Sequence, residues 1–529
     1  MHREPKPSRA ILSAPFPPSP PHLPSPAVAA SSTPSSSHSS RRFKRFRSLL
    51  PTTTTTSYRA VLSSVCIMAV LFWVIHLLFF SLFPDFTTGN PSTSPSSPIP
   101  PPSSPSSPQE EPSVADLALQ KILKDSRQIL GPFPSSFNKS AAAKRRAQWM
   151  TPLPDSLPLT SLKAIPGTHD SATWNFTQAT RDAIPSNPSY LPADWFRCQK
   201  KSIVESLEAG IRFFDLRYAA LEDGGKKGEE GMRLVFWHKM ALLSEVATVE
   251  DVLFGFYGWL ETRGKGETVL ISLQYEHPTR SKASNTPQVQ RLLHSTLTTP
   301  AARRFIYPSH SLPPTLGHAR GKIVLLKRFD LPDLSLDQQL AVPGLNFSPS
   351  LWPENNKGFE LVYNQLDLGP GEGEGKKMNE TAYIEDYFEP NDLPNKMNGS
   401  VEENVAAKWE AVEEHLRSAA AASQRSEGED DGLWITFTSG EHVLNEPNIT
   451  PEVMALGPEE QRRGQPGRKV DGGKGGGGTV KGGVNEKLLG LLKEGGPDGL
   501  KGKRLGVVVM DFWEMEGEGD LIGALLGLD

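Results

Sequence analysis

Two stretches decide how this chain folds: residues 162–172, Leu-Lys-Ala-Ile-Pro-Gly-Thr-His169-Asp170-Ser-Ala, and residues 207–217, Leu-Glu-Ala-Gly210-Ile-Arg-Phe-Phe-Asp215-Leu-Arg217. Each is a short apolar run that ends in charged residues at its C-terminal side. That is the texture of a buried strand whose end opens onto a polar rim. Asp215 and Arg217, two apart on a strand, share a face.

Working outward, the same pattern recurs. The apolar runs predict strands over Leu162 to Pro166, Ile211 to Arg217, Arg233 to His238, Glu267 to Gln274, Lys322 to Arg328, Ala382 to Asp386, Leu433 to Thr438 and Leu505 to Asp511. Helices are expected over Cys198 to Ala209, closed by Gly210; Val249 to Thr262, opened by Thr248 with Asp251 three residues on; and Val401 to Ala422. Eight strands with helices between them predict an α/β fold, a distorted parallel (β/α)8 TIM barrel. Polar residues gather at the strand ends: His169, Asp170, Asp215, Arg217, His238, Gln274, Glu276, Lys327, Asp386 and Asp511. In such barrels that rim is where sites are built, and two histidines, an arginine and carboxylates supply base, acid and anion clamp.

The rest of the 529-residue chain frames this domain. The formal net charge of -4 gives no sign of a nucleic-acid partner, for which a basic face would be expected. Two cysteines, Cys66 and Cys198, build no disulfide framework. Residues 1–57, rich in Ser and Pro with a basic cluster at Arg41 to Arg47, read as a disordered arm. Residues 60–83 contain no Asp, Glu, Lys or Arg. As a helix they would reach roughly 36 Å, enough to span a bilayer. The basic cluster lies on the N-terminal side, which predicts a type II membrane protein with the domain lumenal or extracellular. Sequons at Asn138, Asn175, Asn346, Asn379, Asn398 and Asn448 all follow the span and suit that side. Residues 84–149 read as a Pro/Ser-rich stalk and lead-in, and 150–529 as the barrel, with loop insertions near 423–432 and 457–484.

The string Ile165-Pro-Gly-Thr-His169-Asp170-Ser-Ala, followed by Gly210-Ile-Arg-Phe-Phe-Asp215-Leu-Arg217, His238, Ile271-Ser-Leu-Gln-Tyr-Glu276 and Val508-Val-Met-Asp511-Phe, resembles the X region of phosphatidylinositol-specific phospholipases C. The resemblance implies a phosphodiesterase that cleaves an inositol phospholipid or glycosyl-phosphatidylinositol by attack of the inositol 2-hydroxyl. It implies His169 as general base oriented by Asp511, His238 as general acid supported by Asp170, and Arg217, anchored by Asp215, as phosphate clamp. Glu276, Gln274, Lys327 and Asp386 are the implied substrate contacts. Gln274 stands where the family carries lysine, and Lys239 follows His238 where glycine is common. Arg217 occupies the place where signalling relatives hold calcium, so no metal or other cofactor is expected. The partners expected are a lipid or glycolipid substrate and a membrane; oligomeric state is left open. A catalytically inactive lipid- or glycan-binding protein on the same barrel is the alternative.

Overall fold

The computed structural model describes residues 113–528, apart from 223–230, 277–284, 364–379, 423–431, 459–481, 497–498, 515–518 and the single positions 135, 139, 189 and 191. The expected arm, the apolar span 60–83, most of the stalk, the sequon at Asn379 and most of both expected insertions lie outside these residues. Among the described residues no helix is long and apolar enough to cross a membrane. Residues 107–529 form one compact unit.

Among the described residues eleven strands make up its sheet: β1 (Ala164–Thr168), β2 (Phe213–Glu222), β3 (Met232–His238), β4 (Ala241–Leu242), β5 (Thr268–Tyr275), β6 (Lys322–Arg328), β7 (Leu345–Asn346), β8 (Asn356–Val362), β9 (Thr381–Asp386), β10 (Leu433–Phe437) and β11 (Gly506–Met510). The main path runs β7-β6-β5-β2-β1-β11-β10-β9-β8. Every pair along it is parallel except β8 with β9. The sheet curls until its edges approach, where Asn346 N–H donates to Tyr363 O at 3.2 Å and Phe347 stacks on Tyr363. Side chains from both edges and the middle, among them Ile165, Phe213, Val324, Leu345, Leu361, Ile384, Ile435 and Val509, form one interior cluster. The alternate residues, such as Phe214, Ile271, Leu325 and Val508, pack into the outer layer against the helices. The architecture is TIM-barrel-like.

All eight expected strands are present, but not as eight parallel staves. The stretch Arg233 to His238 belongs to β3, which lies antiparallel on β2 (Tyr218↔Phe236 to Glu222↔Met232) and off the main path. The reason is length: residues 223–231 are too few for a parallel crossover, which needs a dozen or more. The short β7 and the antiparallel β8 complete the curl instead. The helix expected from Cys198 starts at Ile203, because Ser202 and Glu205 form a capping box there. The helices Val249–Thr262 and Val401–Ala422 have the expected bounds.

Two buried ion pairs tie the layers together. At the base of the sheet Arg212, fully buried, pairs with Glu267 at 2.9 Å and stacks on Trp259. Glu267 also accepts from Thr151 N and Oγ1, fastening the lead-in below the barrel. Near the rim, Lys408 of the helix Val401–Ala422 pairs with Glu385 of β9 at 2.7 Å and donates to Phe437 O, both side chains being wholly buried. Burial pushes the Glu385 carboxyl up to about 7 against the pull of Lys408.

Candidate active site

Alternation along the strands determines which rim residues meet. On β1, Ile165 and Gly167 face the interior, so His169 continues that row just past the strand end. A side chain at Gly167 would collide with Phe213 from β2, which fills the centre there. On β2 the inward row runs Phe213, Asp215, Arg217; on β11 it runs Val507, Val509, Asp511.

These rows converge. His169 Nδ1 lies 2.9 Å from Asp511 Oδ1, and His169 Nε2 lies 2.7 Å from Arg217 Nη2 and 3.3 Å from Asp170 Oδ2. Arg217 Nε sits 3.1 Å from Asp215 Oδ2 and 3.2 Å from Asp170 Oδ1. His238 Nε2 is 3.2 Å from Asp170 Oδ2, and its Nδ1 donates to Phe196 O at 2.8 Å. Asp170 thus stands between two imidazoles whose ring centres are 6.3 Å apart. His169, Asp170, Asp215, Arg217, His238 and Asp511 form one contiguous cluster.

The backbone is bent to hold it. Asp170, Lys239 and Phe512, each immediately after His169, His238 and Asp511, adopt left-handed φ of 40°, 49° and 42°. Such conformations in non-glycine residues cluster where surrounding contacts over-determine them. Here Gln199 Nε2 donates to His169 O and Met510 O, both at 2.8 Å, and Asn485 Nδ2 donates to Asp511 O and Phe512 O. Lys239 N donates to Glu276 Oε1 at 2.8 Å. That is the backbone geometry for which glycine would be the easier residue.

Burial and charge set the protonation states. Burial first, then Arg217, holds both His169 and His238 well below the ordinary imidazole value. Burial, reinforced by neighbouring carboxylates, raises Asp170 and Asp511 well above the ordinary carboxyl value. For Arg217 burial works toward a lower value, but Asp170 and Asp215 outweigh it and raise the value further. These shifts favour the neutral form of both imidazoles beside a fixed guanidinium, and Asp170 lies within 3.3 Å of both ring Nε2 atoms.

The outer ring of the site is only partly as expected. Glu276 is buried and takes a weak hydrogen bond from Gln274 at 3.4 Å. Asp386 accepts from Trp352 Nε1 at 2.8 Å. Lys327 does not join them: it is off the inward row, its Nζ donates to Val342 O at 3.2 Å, and burial brings it down to about 8. The inward neighbour is Arg328, stacked on Trp352 at 3.7 Å and 3.6 Å from Asp215 Oδ1. Parity with Val324 and Leu326 pointed to it. Trp352, by contrast, carries no sequence signal.

Calcium does not fit the cluster. Arg217 sits between Asp170 and Asp215 on one oxygen of each, placing a fixed positive charge where a hard cation would have to lie, and among the described residues six or more oxygen ligands are not assembled there.

A curled α/β sheet that gathers paired histidines, carboxylates and an arginine at its rim has the groups of an acid–base site with an anion clamp. Comparison with known proteins gives the particular relatives. Over 199 residues (37% of this chain, 56% of the relative) it is 25% identical to the 1-phosphatidylinositol phosphodiesterase of Staphylococcus aureus strain Newman. Over 138 residues (23% of this chain, 43% of the relative) it is 36% identical to the PI-PLC X domain-containing protein 2 of Homo sapiens. The chain is a homologue of both groups, and spans about half the length of the curated relatives it matches. A crystal structure of phosphatidylinositol-specific phospholipase C from Staphylococcus aureus superposes with a TM-score of 0.48 at 18% identity, over 73% of this chain and 98% of that one. No family model matches the chain.

Proposed function

We propose that the protein is a phosphoric diester hydrolase of the phospholipase C type, acting on an inositol phospholipid or a glycosyl-phosphatidylinositol without a metal ion. The observation that carries this is the single cluster in which Asp511, His169, Arg217, Asp170 and His238 follow one another within 3.3 Å.

In this reading Asp511 accepts the Nδ1–H of His169, and Nε2, which faces Arg217 Nη2 at 2.7 Å, takes the proton of the attacking inositol hydroxyl once the substrate phosphate draws Arg217 to itself. Arg217 holds the phosphate and answers the negative charge that develops on it. His238, sharing a proton with Asp170, delivers that proton to the departing diacylglycerol oxygen, so base and acid work on opposite sides of phosphorus. Intramolecular attack gives a cyclic phosphate first. Arg328, Asp386 and Glu276 offer a ring of charged groups suited to a polyol.

A lipid surface suits the rim. Tyr190, Leu336, Leu351, Met397 and Leu444 are exposed on connections that leave the C-terminal ends of β1, β6, β7, β9 and β10. Exposed apolar side chains on the connections at the site's end of the sheet favour contact with a membrane. The span 60–83 would anchor the domain as a type II protein with the site on the lumenal or extracellular face. The test is a cell-free assay of the full chain in mixed micelles with phosphatidylinositol. Release of water-soluble inositol phosphate, abolished by His169→Ala, supports the reading; binding without release favours an inactive lipid-binding protein.

A further inference from the structure

Cys198 is a buried side chain at the site that this chemistry leaves unused. Its Sγ groups with Asp170 and His238, and again with His169 and Asp511, so that the potential ligand atoms of each set fall within 4.8 Å of one another. The orientation of His238 matters. Its Nδ1–H is taken by Phe196 O, so Nε2 carries the lone pair. That nitrogen faces Asp170 Oδ2 at 3.2 Å, and the oxygen, fully buried, makes no hydrogen bond of good geometry. Two acceptors this close call for a proton or a cation between them.

A tetrahedral ion with nitrogen and oxygen ligands at 2.0–2.1 Å holds those ligands roughly 3.3 Å apart. The His238–Asp170 separation already has that size. We propose that a divalent cation of the zinc class binds on Cys198 Sγ, His238 Nε2 and Asp170 Oδ2, displaces the proton these groups share, and switches the enzyme off. Its inhibitory half rests on the proposed function; the binding itself does not.

The outer partners of a metal site are in place: Phe196 O fixes the His238 tautomer and Arg217 orients Asp170 through the other carboxylate oxygen. Sulfur and imidazole select a zinc-class ion over calcium, which the same cluster refuses for want of oxygens. Binding takes the Cys198 thiol to a thiolate, its proton leaving to solvent as the sulfur–metal bond forms.

The test is a Cd²⁺ titration of the full chain in a Cys66→Ser background, following thiolate-to-cadmium absorption in the near ultraviolet, with Zn²⁺ inhibition measured in parallel. One equivalent of Cd²⁺ is expected to give the band. Cys198→Ser should abolish the band and raise the zinc needed for half-inhibition by at least about tenfold, and His238→Gln, which keeps the thiol, should weaken Cd²⁺ binding by a similar factor. No band, a band unchanged in either variant, or zinc inhibition unchanged in Cys198→Ser overturns the proposal. Cadmium bound through Cys198 in a chain without phosphodiesterase activity upholds the site and removes the functional reading alone.

Discussion

His169 gains its meaning from its neighbours. A lone histidine past a Pro-Gly turn is weak evidence for chemistry; one that touches Asp511, Arg217 and Asp170 at once is placed to move a proton. His169→Ala and His238→Ala are each expected to lower kcat by about 10²–10⁴. The double variant should fall by less than the product of the two, since the residues act as a unit, and steady-state kinetics on one lipid decides it. Both imidazoles are held below their ordinary value by burial, so the neutral His169 persists as pH falls from 7. The acidic limb of kcat/KM is therefore expected below pH 6.5, and a limb above it would contradict the burial argument. Lys327 and Arg328 make a sharper comparison. Lys327→Met should leave kcat/KM within about twofold, whereas Arg328→Met should raise KM for an inositol substrate by about tenfold or more, the scale of one buried charge-assisted hydrogen bond.

At the scale of elements, the outer helix Val401–Ala422 is fastened to β9 and β10 by polar groups that have no water to fall back on. Lys408→Met leaves Glu385 buried without its partner and is expected to cost about 3–5 kcal/mol in chemical denaturation. His415 on the same helix bonds Thr436 Oγ1 at 2.8 Å, and burial pushes it down to about 4. Because the unfolded chain binds that proton first, this group's contribution is complete above about pH 6.5 and lost as pH falls toward 4. His415→Gln should flatten the pH dependence of stability across that window.

Elements were also where the sequence was most and least readable. Apolar runs located all eight strong strands, and the rim residues followed from their C-terminal ends. The gap 223–231 already forbade a parallel crossover, and the parity of Val324, Leu326 and Arg328 already disfavoured Lys327. By contrast, β7 is two residues long, and β8, Asn-Lys-Gly-Phe-Glu-Leu-Val, buries only part of one face, so neither has a strong pattern. The stacking of Arg328 on Trp352 joins residues distant in sequence and depends on the curl itself.

For the molecule as a whole, the proposed function sets a lipid surface against the end of the barrel-like sheet that carries the site. Tyr190 and Leu444, 76% and 63% exposed, are the residues to change. Replacing either with serine should weaken partition to phosphatidylinositol-containing vesicles by roughly tenfold, about 1.4 kcal/mol, while leaving turnover of a soluble short-chain substrate unchanged. Vesicle sedimentation checks the first part and a monomeric-substrate assay the second. The most direct test of the central claim is ³¹P NMR of the full chain acting on phosphatidylinositol in mixed micelles with a chelator present. The account predicts the resonance of a cyclic inositol phosphate, absent with His169→Ala; lipid binding without turnover, or turnover that returns only with calcium, would contradict it.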